Sequence, residues 1–291
     1  MTGLIERAPA KVNLTLHVRG RRSDGLHALE SLVGFSGSGD VVSLIPADEL
    51  YVSTAGPFSG AIGPAEDNLV ARAAENLARE ISPLRSGHFH LTKNLPAASG
   101  IGGGSSDAAA ALRLLARLND LALDDRRILR AAAKTGADVP VCLLARTRMM
   151  RGAGEELGGL LRLPPLFAVL VNPGVELATG AVFAGLGLAP GEDGLTLGAH
   201  PEIAACETAD ELFAALRRAR NDLEPAACVL APVINDVLAV LAAARGCRLA
   251  RMSGSGATCF ALFATRAAAS RAARNIRRTR PQWWVKACVL R

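Results

Sequence analysis

Aromatic residues are scarce in this chain of 291 residues, which has one tyrosine, two tryptophans and eight phenylalanines. Proteins that bind single-stranded nucleic acid stack the bases on aromatic side chains, so the scarcity argues against that class. The six cysteines show no CxxC or other metal-ligand spacing, and most lie in apolar stretches, as free buried thiols do. The composition therefore predicts reduced cysteines, no protein-bound metal and a cytoplasmic location.

Long hydrophobic runs are also missing. The N-terminal segment lacks a basic region followed by a long apolar region, and the apolar stretch Val229–Ala244 is interrupted by Pro232, Asn235 and Asp236. We therefore expect neither a signal peptide nor a membrane span. The formal net charge of +6 suits an anionic small molecule as well as nucleic acid, so the charge does not choose between these partners.

Extended and helical patterns both occur along the chain, and its length suits two compact domains. Alternating apolar residues predict a strand through Val12–Val18, and helical spacing predicts a helix after Asn68. The stretch RGAGEELGGLLRLPPL is rich in glycine and proline, which favours a boundary there. We predict a first domain of residues 1–160 and a second domain of residues 161–291, with mixed strands and helices in the second.

A glycine-rich loop, PAASGIGGGSS, lies between a predicted strand and a predicted helix. Glycine costs backbone entropy on folding and contributes no packing, whereas bare backbone N–H groups at a helix N-terminus bind anions. In the alternative interpretation the loop is a tight turn and Ser105 or Ser106 only caps the helix. Capping explains one hydroxyl but not four glycines, so we favour phosphate binding. The predicted phosphate-binding residues are Pro96, Ala97, Ala98, Ser99, Gly100, Ile101, Gly102, Gly103, Gly104, Ser105 and Ser106.

The two common phosphate-binding motifs do not fit this loop. No lysine follows the glycines, as a Walker A motif requires. Ser105 stands where a dinucleotide fingerprint has its third glycine, and no strand ends in an acidic residue about 20 residues further on. A nucleotide kinase without the Walker A lysine must take positive charge from elsewhere in the chain.

Two further stretches carry polar residues in apolar surroundings. Lys11 and Asn13 are two positions apart on a predicted strand, so their side chains point to the same side. Asp138 lies between Gly136 and Pro140 in a predicted turn beside a buried strand. Taken alone, Lys11 is better explained as a solvated charge on an edge strand, and Asp138 as a turn-forming residue.

Together these stretches resemble the GHMP kinase superfamily. The glycine loop matches its N-terminal motif, and MSGSGATCFALF matches its C-terminal glycine motif. The segments APAKVNLTL, RRSDGLHALESL, GIGGGSSDAAA and GADVPV resemble, in order and spacing, those of the branch that phosphorylates a cytidine diphosphate-linked methylerythritol in non-mevalonate isoprenoid synthesis. The resemblance covers nearly the whole chain.

The resemblance implies an α+β fold of two domains, the first like ribosomal protein S5 and the second ferredoxin-like. It implies ATP and Mg²⁺ as cofactors and transfer of a phosphoryl group to the 2-hydroxyl of the cytidine diphosphate-linked methylerythritol. We accordingly expect a small-molecule substrate, no nucleic-acid or membrane partner, and a monomer or weak homodimer.

The resemblance also implies roles for particular residues. Asp138 would accept the proton of the attacking alcohol, and Lys11 would keep that carboxylate ionised and offset charge on the transferring phosphoryl group. Lys93 and Asn68 would lie near the adenosine end of ATP. The implied substrate-binding residues are Asn13, Leu26, His27 and Thr179.

One position departs from the family pattern. Members of this branch usually carry a tyrosine in the turn DGYH, which stacks on the cytosine, but this chain has Leu26 there. His27 is retained and can hydrogen-bond the base. Because replacing a ring by leucine removes a stacking contact of about 1 kcal/mol, we expect weaker cytidine binding and the same substrate.

Other features have simpler explanations. His88 and His90 form an HxH pair without a nearby third ligand, which favours a solvated strand face. A C-terminal helix carries arginines, and the solvated face of a helix explains them better than nucleic-acid binding does; these arginines are Arg266, Arg271, Arg274, Arg277, Arg278 and Arg280. Two alternative functions remain: another GHMP kinase, for mevalonate or homoserine, and a basic nucleic-acid-binding protein.

Overall fold

The computed structural model describes residues 3–61, 68–193, 198–204 and 206–291. In these ranges the strands are β1 (Leu4–Asn13), β2 (His17–Arg21), β3 (His27–Ala47), β4 (Tyr51–Ala55), β5 (Ser86–Thr92), β6 (Arg148–Gly152), β7 (Glu156–Leu160), β8 (Leu166–Asn172), β9 (Cys247–Met252), β10 (Cys259–Phe263) and β11 (Trp284–Leu290). The α-helices there are α1 (Leu69–Glu80), α2 (Gly103–Leu118), α3 (Arg126–Thr135), α4 (Val139–Leu144), α5 (Thr179–Ala184), α6 (Ala209–Arg218), α7 (Glu224–Leu230), α8 (Val233–Ala242) and α9 (Arg266–Thr279).

The chain forms two compact units, and each is built from separated stretches. The first unit comprises Met1–Lys11, Ser38–Ala97 and Gly102–Ala145. The second unit comprises Val12–Gly37, Ala98–Ile101 and Arg146–Arg291. Strands β1 and β3 therefore each contribute to both units. The predicted domains of residues 1–160 and 161–291 stay a prediction.

In the first unit, β5 pairs antiparallel with the second part of β3 and parallel with β4. Successive side chains of a strand point to opposite faces of the sheet, so Phe89 and Leu91 are buried whereas His88 and His90 are exposed. Helices α1 and α2 contact this sheet, α3 packs against both of them, and α4 packs against α2 and α3. Phe89 of β5, Leu77 of α1 and Leu112 of α2 are completely buried in this unit.

The prediction of a buried strand after Asp138 is wrong. Val139–Leu144 is helix α4, in which Pro140 occupies the first turn, where its fixed φ angle and missing N–H are tolerated. A short apolar run fits a buried strand and a buried helix equally well. The structure therefore places Asp138 at the N-terminus of a helix.

In the second unit, an antiparallel sheet has the order β11-β8-β10-β9. Its strand β8 is buried on both faces. Val169 and Val171 belong to one apolar cluster, with side chains of α8 and α9, and Ala168 and Leu170 belong to another, with side chains of α6. The alternation along β8 therefore gives this sheet a helical layer on each side.

The first part of β3 lies in the second unit and pairs with β2 and β6, and near its end Ser36 pairs with Leu290 of β11. The stretch interpreted as a domain boundary contains β7, which forms a hairpin with β6. Gly152 and Gly154 adopt positive φ angles at this hairpin. Two of the glycines that suggested a linker, Gly152 and Gly154, shape this hairpin, and the other two, Gly158 and Gly159, lie within β7.

The predicted mixture of strands and helices is confirmed in both units. The predicted strand Val12–Val18 is interrupted: β1 ends at Asn13 and β2 begins at His17. Between them, the backbone N–H of Leu16 donates to the carbonyl of Arg220. A search of the described residues finds no helix that is long and apolar enough to span a membrane.

Candidate active site

Lys11 and Asp138 form an ion pair in the first unit. Lys11 Nζ donates a hydrogen bond of 2.7 Å to Asp138 Oδ2. The lysine is 4% exposed, whereas the Asp138 side chain is 35% exposed. The explanation of Lys11 as a solvated edge charge is therefore wrong. A bound molecule can therefore reach the Asp138 carboxylate, and the buried ammonium group of Lys11 lies next to it.

The start of α2 has the geometry of an anion site. Gly102 precedes the helix with φ of 59° and no side-chain cap, and the first helical hydrogen bond runs from Ser106 N to Gly102 O at 2.9 Å. The N–H groups of Gly103, Gly104 and Ser105 have no acceptor within the helix, as in the first turn of any α-helix. These donors, with the positive end of the helix dipole, suit phosphate oxygens.

The capping alternative for the glycine loop is wrong. Ser106 Oγ donates to the carbonyl of Pro9 at 2.7 Å and contacts Cys142 Sγ at 3.4 Å. Burial raises the pKa of the Cys142 thiol to about 12, so it stays protonated. The Ser106 hydroxyl ties α2 to β1 and leaves the helix N-terminus without a side-chain cap.

The glycines of the loop are required by neighbouring protein atoms as well. A Cβ atom on Gly100 would lie 2.5 Å from the carbonyl oxygen of Ser253, within the second unit. A Cβ atom on Gly102 would lie 3.0 Å from Lys11 Cε. At Gly103 and Gly104 such an atom would point toward Lys93 and Leu69. Close approach within the protein therefore explains part of what the sequence suggested was room for a ligand.

Lys93 lies below the start of α2 with its ammonium group between two carboxylates. It donates to Asp40 Oδ2 and, at 2.7 Å, to Asp107 Oδ2. Sequence reasoning identified neither aspartate. Asp40, Val42 and Leu44 alternate along β3 and are all buried. An acidic residue at a buried position of an alternating strand was the signal in the sequence that could have identified Asp40. The predicted position of Lys93 near adenosine stays a prediction.

Asn68 serves as the N-cap of α1. Its Oδ1 accepts a hydrogen bond of 2.9 Å from the backbone N–H of Val70, as asparagine does at this position. The residue is 8% exposed. Its proposed contact with adenosine stays a prediction, and the cap explains its presence without one.

In the second unit, Asn13 lies beside the C-terminal glycine motif. Its backbone N–H donates to Ser253 Oγ at 3.1 Å, and its Nδ2 donates to Ser31 Oγ at 2.7 Å. Among the described residues, the buried Asn13 Oδ1 has no hydrogen-bond partner. The Thr179 hydroxyl lies 3.1 Å from Ser255 Oγ in the same motif. Asn13 and Thr179, both predicted to bind substrate, thus contact two serines of the C-terminal glycine motif.

Asn221 fixes the shape of that loop, and sequence reasoning missed it. Its Nδ2 donates to the carbonyls of Met252 and Gly254 at 2.9 and 2.8 Å. Glu224 Oε2 accepts a hydrogen bond of 2.8 Å from Met252 N. A buried amide with two carbonyl acceptors from one turn has no signature in an isolated sequence.

In the second unit, Leu26 lies between a turn and β3, and His27 is the first residue of that strand. Leu26 is 54% exposed, and the His27 ring lies 4.6 Å, centre to centre, from the ring of Phe183. Burial, and then Arg21, lower the pKa of His27, so its imidazole is neutral at pH 7. In the described structure its buried Nε2 has no hydrogen-bond partner. Phe183 is an aromatic neighbour that sequence reasoning did not identify.

The HxH pair is exposed, as expected. Ser53 Oγ lies 3.0 Å from His90 Nδ1, and Tyr51 packs its edge against His88. Within the described ranges, no three His, Cys, Asp or Glu side chains are grouped to hold a metal ion. The arginines of α9 are exposed on one face of that helix.

Comparisons with known proteins agree on one family. The GHMP kinases N terminal domain matches residues 68–146, and the GHMP kinases C terminal domain matches residues 202–282. A 4-diphosphocytidyl-2-C-methyl-D-erythritol kinase of Methylobacterium radiotolerans is 60% identical, with 100% of each chain covered. A protein of the same name from Methylorubrum extorquens is 57% identical over 98% of each chain.

Solved structures give the same result. A crystal structure of 4-(cytidine 5'-diphospho)-2C-methyl-D-erythritol kinase aligns with a TM-score of 0.77 at 33% identity and covers 99% of both chains. A homoserine kinase from Cytophaga hutchinsonii aligns with a TM-score of 0.75 at 21% identity, covering 99% of this chain and 94% of its own. At 21% identity, the match to the homoserine kinase shows that the two proteins have the same fold.

Proposed function

The chain belongs to the GHMP kinases, and from that membership we propose that it phosphorylates the 2-hydroxyl of 4-diphosphocytidyl-2-C-methyl-D-erythritol with ATP as the donor. The predicted two-domain α+β GHMP kinase fold is confirmed by the two domain matches and the 33% identical crystal structure. The observation that carries the substrate is full-length identity of 60% and 57% to kinases named for it. A mevalonate or homoserine kinase is accordingly not favoured.

The proposed chemistry rests on the Lys11–Asp138 pair. Asp138 accepts the proton of the attacking hydroxyl as its oxygen bonds to the γ-phosphorus and the bond to the β-phosphate oxygen breaks, so that ADP leaves. Lys11 holds the Asp138 carboxylate in place through their hydrogen bond and offsets negative charge on the transferring group. The 2.7 Å contact and the exposure of Asp138 support these roles.

ATP would bind with its phosphates at the start of α2. The three N–H groups at Gly103–Ser105 and the helix dipole supply the attraction that a Walker A lysine supplies elsewhere. Mg²⁺ neutralises charge on the phosphates when it is bound. The N–H groups at Gly103–Ser105 are hydrogen-bond donors that suit phosphate oxygens and not a cation, so the ion would arrive with the nucleotide.

The proposed cytidine contacts involve His27 and its neighbours. The unpartnered Nε2 of a neutral imidazole can hydrogen-bond a base edge, and Leu26 offers an exposed apolar surface. Phe183, in contact with His27, offers an aromatic face that Leu26 does not. Asn13 Oδ1 would accept a hydrogen bond from a hydroxyl of the polyol or sugar part of the substrate, and the Thr179 hydroxyl would donate one to it or to a phosphate oxygen.

The remaining parts of the proposal follow from the sequence. We propose a cytoplasmic enzyme, monomeric or weakly dimeric, with no nucleic-acid partner and with domains of residues 1–160 and 161–291. Size-exclusion chromatography with light scattering measures the oligomeric state, and a salt series of DNA and RNA binding measures the nucleic-acid affinity.

A phosphoryl-transfer assay tests the function. The purified protein would be given ATP, Mg²⁺ and, separately, the cytidyl substrate, mevalonate and homoserine. We expect turnover with the cytidyl substrate only, and loss of it in Asp138→Asn. Turnover with mevalonate or homoserine alone would overturn the substrate, and ATP turnover unchanged in Asp138→Asn would overturn the mechanism.

A further inference from the structure

Three charged side chains are buried together beside the start of α2. Lys93 Nζ donates to one carboxylate oxygen of Asp40 and one of Asp107. The side chains of Lys93, Asp40 and Asp107 are 6%, 0% and 3% exposed. Two carboxylates and one ammonium group leave one excess negative charge in a place that water does not reach.

The two carboxylates differ in their remaining contacts. Asp40 Oδ1 accepts hydrogen bonds from the backbone N–H groups of Asn94 and Leu95, so both of its carboxylate oxygens have hydrogen-bond donors. Asp107 Oδ1 is buried and, in the described part of the chain, has no partner. A single proton on Asp107 would remove the excess charge and leave intact the hydrogen bonds that Asp40 accepts from Lys93, Asn94 and Leu95.

The balance of forces on Asp107 agrees with this difference. Burial is the largest effect and raises the pKa of the Asp107 carboxyl. The Lys93 ammonium group lowers this pKa and the Asp40 carboxylate raises it, and the net result is a pKa of about 7. Helices α1, α3 and α4 and strand β5 also pack against α2. In the part of the chain that the structure describes, Asp107 forms no hydrogen bond or ion pair with the charged or titratable residues of these elements or with Asp138 before α4; those residues are Arg72, Glu75, Arg79, Glu80, His88, His90, Arg126, Arg127, Arg130, Lys134 and Cys142.

The buried side chains of Asp40, Lys93 and Asp107 lie close to the proposed phosphate site at the start of α2. A Cβ atom on Gly103, the first residue of α2, would be 3.5 Å from Lys93 Nζ and 3.8 Å from Asp40 Oδ2. Asp107 is on the second turn of the same helix, and Asn94 and Leu95 directly precede the glycine loop. A change of charge here therefore acts on the helix N-terminus at short range, with little water to screen it.

We propose that Asp40, Lys93 and Asp107 are positioning residues for the glycine loop and that Asp107 takes up a proton when nucleotide phosphates bind there. The inference rests on the proposed ATP site. An excess negative charge on these three side chains repels phosphate at the start of α2. With Asp107 protonated, the three side chains carry no net charge and do not repel it. By linkage, bound phosphate favours the protonated form of Asp107, and protonation favours binding to the same extent.

Calorimetry tests the proton uptake. ATP with excess Mg²⁺, without acceptor alcohol, would be titrated into wild type and into Asp107→Asn near pH 7, in two buffers of different ionisation enthalpy. We expect wild type to take up more protons per nucleotide bound than Asp107→Asn. The exposed Asp124 gives a matched control, and Asp124→Asn should behave as wild type.

The pH dependence of affinity gives a second readout. As the pH rises from 6 to 8, the dissociation constant of wild type for ATP should rise relative to that of Asp107→Asn, by up to about tenfold per pH unit for one linked proton. A purely structural role would lower affinity in Asp107→Asn equally at every pH. Equal proton uptake, or a constant ratio of the two dissociation constants, would overturn the inference and leave the ATP site intact.

A measurement on wild type covers the case in which Asp107→Asn does not fold. The infrared spectrum at pH 8 should gain a protonated-carboxyl band when ATP with Mg²⁺ is added, and no gain would overturn the inference. Absence of ATP binding by wild type would instead overturn the proposed function, and the inference with it.

Discussion

Lys11 Nζ and Asp138 Oδ2 lie 2.7 Å apart although 127 positions separate the two residues in sequence. The contact joins the end of a strand to the start of a six-residue helix. Because the lysine is buried and the carboxylate is partly exposed, the pair has one side that can meet a substrate.

The first prediction concerns this pair. Asp138→Asn and Lys11→Met should each lower turnover by at least about a hundredfold, the range for a positioned acid or base. The double variant should be little worse than either, since the two side chains act as one unit. ATP affinity measured by calorimetry without alcohol should survive Asp138→Asn.

An exposed ion pair of the same unit gives the control. Lys134 Nζ and Glu80 Oε1 are 2.8 Å apart, and Lys134→Met should leave turnover unchanged. Near-normal turnover in both Asp138→Asn and Lys11→Met would contradict the mechanism without touching the nucleotide site.

The second prediction concerns Gly102, whose φ of 59° costs about 1–2 kcal/mol for any residue with a Cβ atom. Gly102→Ala also pushes a methyl group against Lys11 Cε. We expect a lower kcat with a smaller change in the KM for ATP, from steady-state kinetics. Gly159, with open space around it, is the control, and equal effects of Gly102→Ala and Gly159→Ala would exclude this contact.

The third prediction concerns His17 and acid. Its pKa is lowered to about 3, first by burial and then by Arg220 and His200, and its Nε2 accepts a hydrogen bond from Arg220 N. The unfolded chain binds a proton near pH 6.5 and the folded chain does not, so stability is lost as the pH falls from about 6.5 toward 3.

Denaturant unfolding at several pH values measures this loss. In His17→Gln it should be smaller than in wild type, whereas in the exposed variant His88→Gln it should equal that of wild type. Identical pH profiles for His17→Gln and wild type would show that His17 is not the group responsible.

The fourth prediction concerns Asp107 in the protein without nucleotide. Its pKa is raised to about 7, so the folded chain binds this proton more tightly than the unfolded chain, in which the pKa is near 3.8. Wild type should therefore lose stability relative to Asp107→Asn as the pH rises from about 4 to about 7, and not beyond. Unfolding free energies of the two proteins that run parallel across this window would refute the assignment.

The fifth prediction concerns the cytidine end of the substrate. Leu26→Tyr should tighten binding of the cytidyl substrate by about 1 kcal/mol, because a ring adds a stacking contact, and Phe183→Leu should weaken it. Neither change should alter the KM for ATP. Steady-state kinetics with the cytidyl substrate varied would show no effect of Leu26→Tyr if this residue lies away from the base.

The sequence predicted the elements of the fold well where periodicity was long. The helix predicted after Asn68 is α1, the strand and helix on either side of the glycine loop are β5 and α2, and the arginine-bearing C-terminal helix is α9. Helix α4 was not predicted, because six apolar residues fit a buried strand equally well. The pairing of Lys11 with Asp138 came from family resemblance, since no spacing rule links positions so far apart.

The least predictable parts of the site were the residues that hold it in place. Asp40 was visible as an acid in line with Val42 and Leu44, and its meaning depended on a lysine 53 positions away. Asn221 carried no local signal at all, because its role depends on two carbonyls of a distant turn.

The pairing of Ser36 with Leu290 has a consequence for synthesis of the chain. The second unit begins with residues made early but cannot complete its sheet until residue 290 has left the ribosome. At about 5–20 residues per second, the early strands wait on the order of tens of seconds with apolar faces uncovered. Chaperone dependence during translation should therefore concentrate on Val12–Gly37, and slowing the ribosome late in the message should lengthen that dependence.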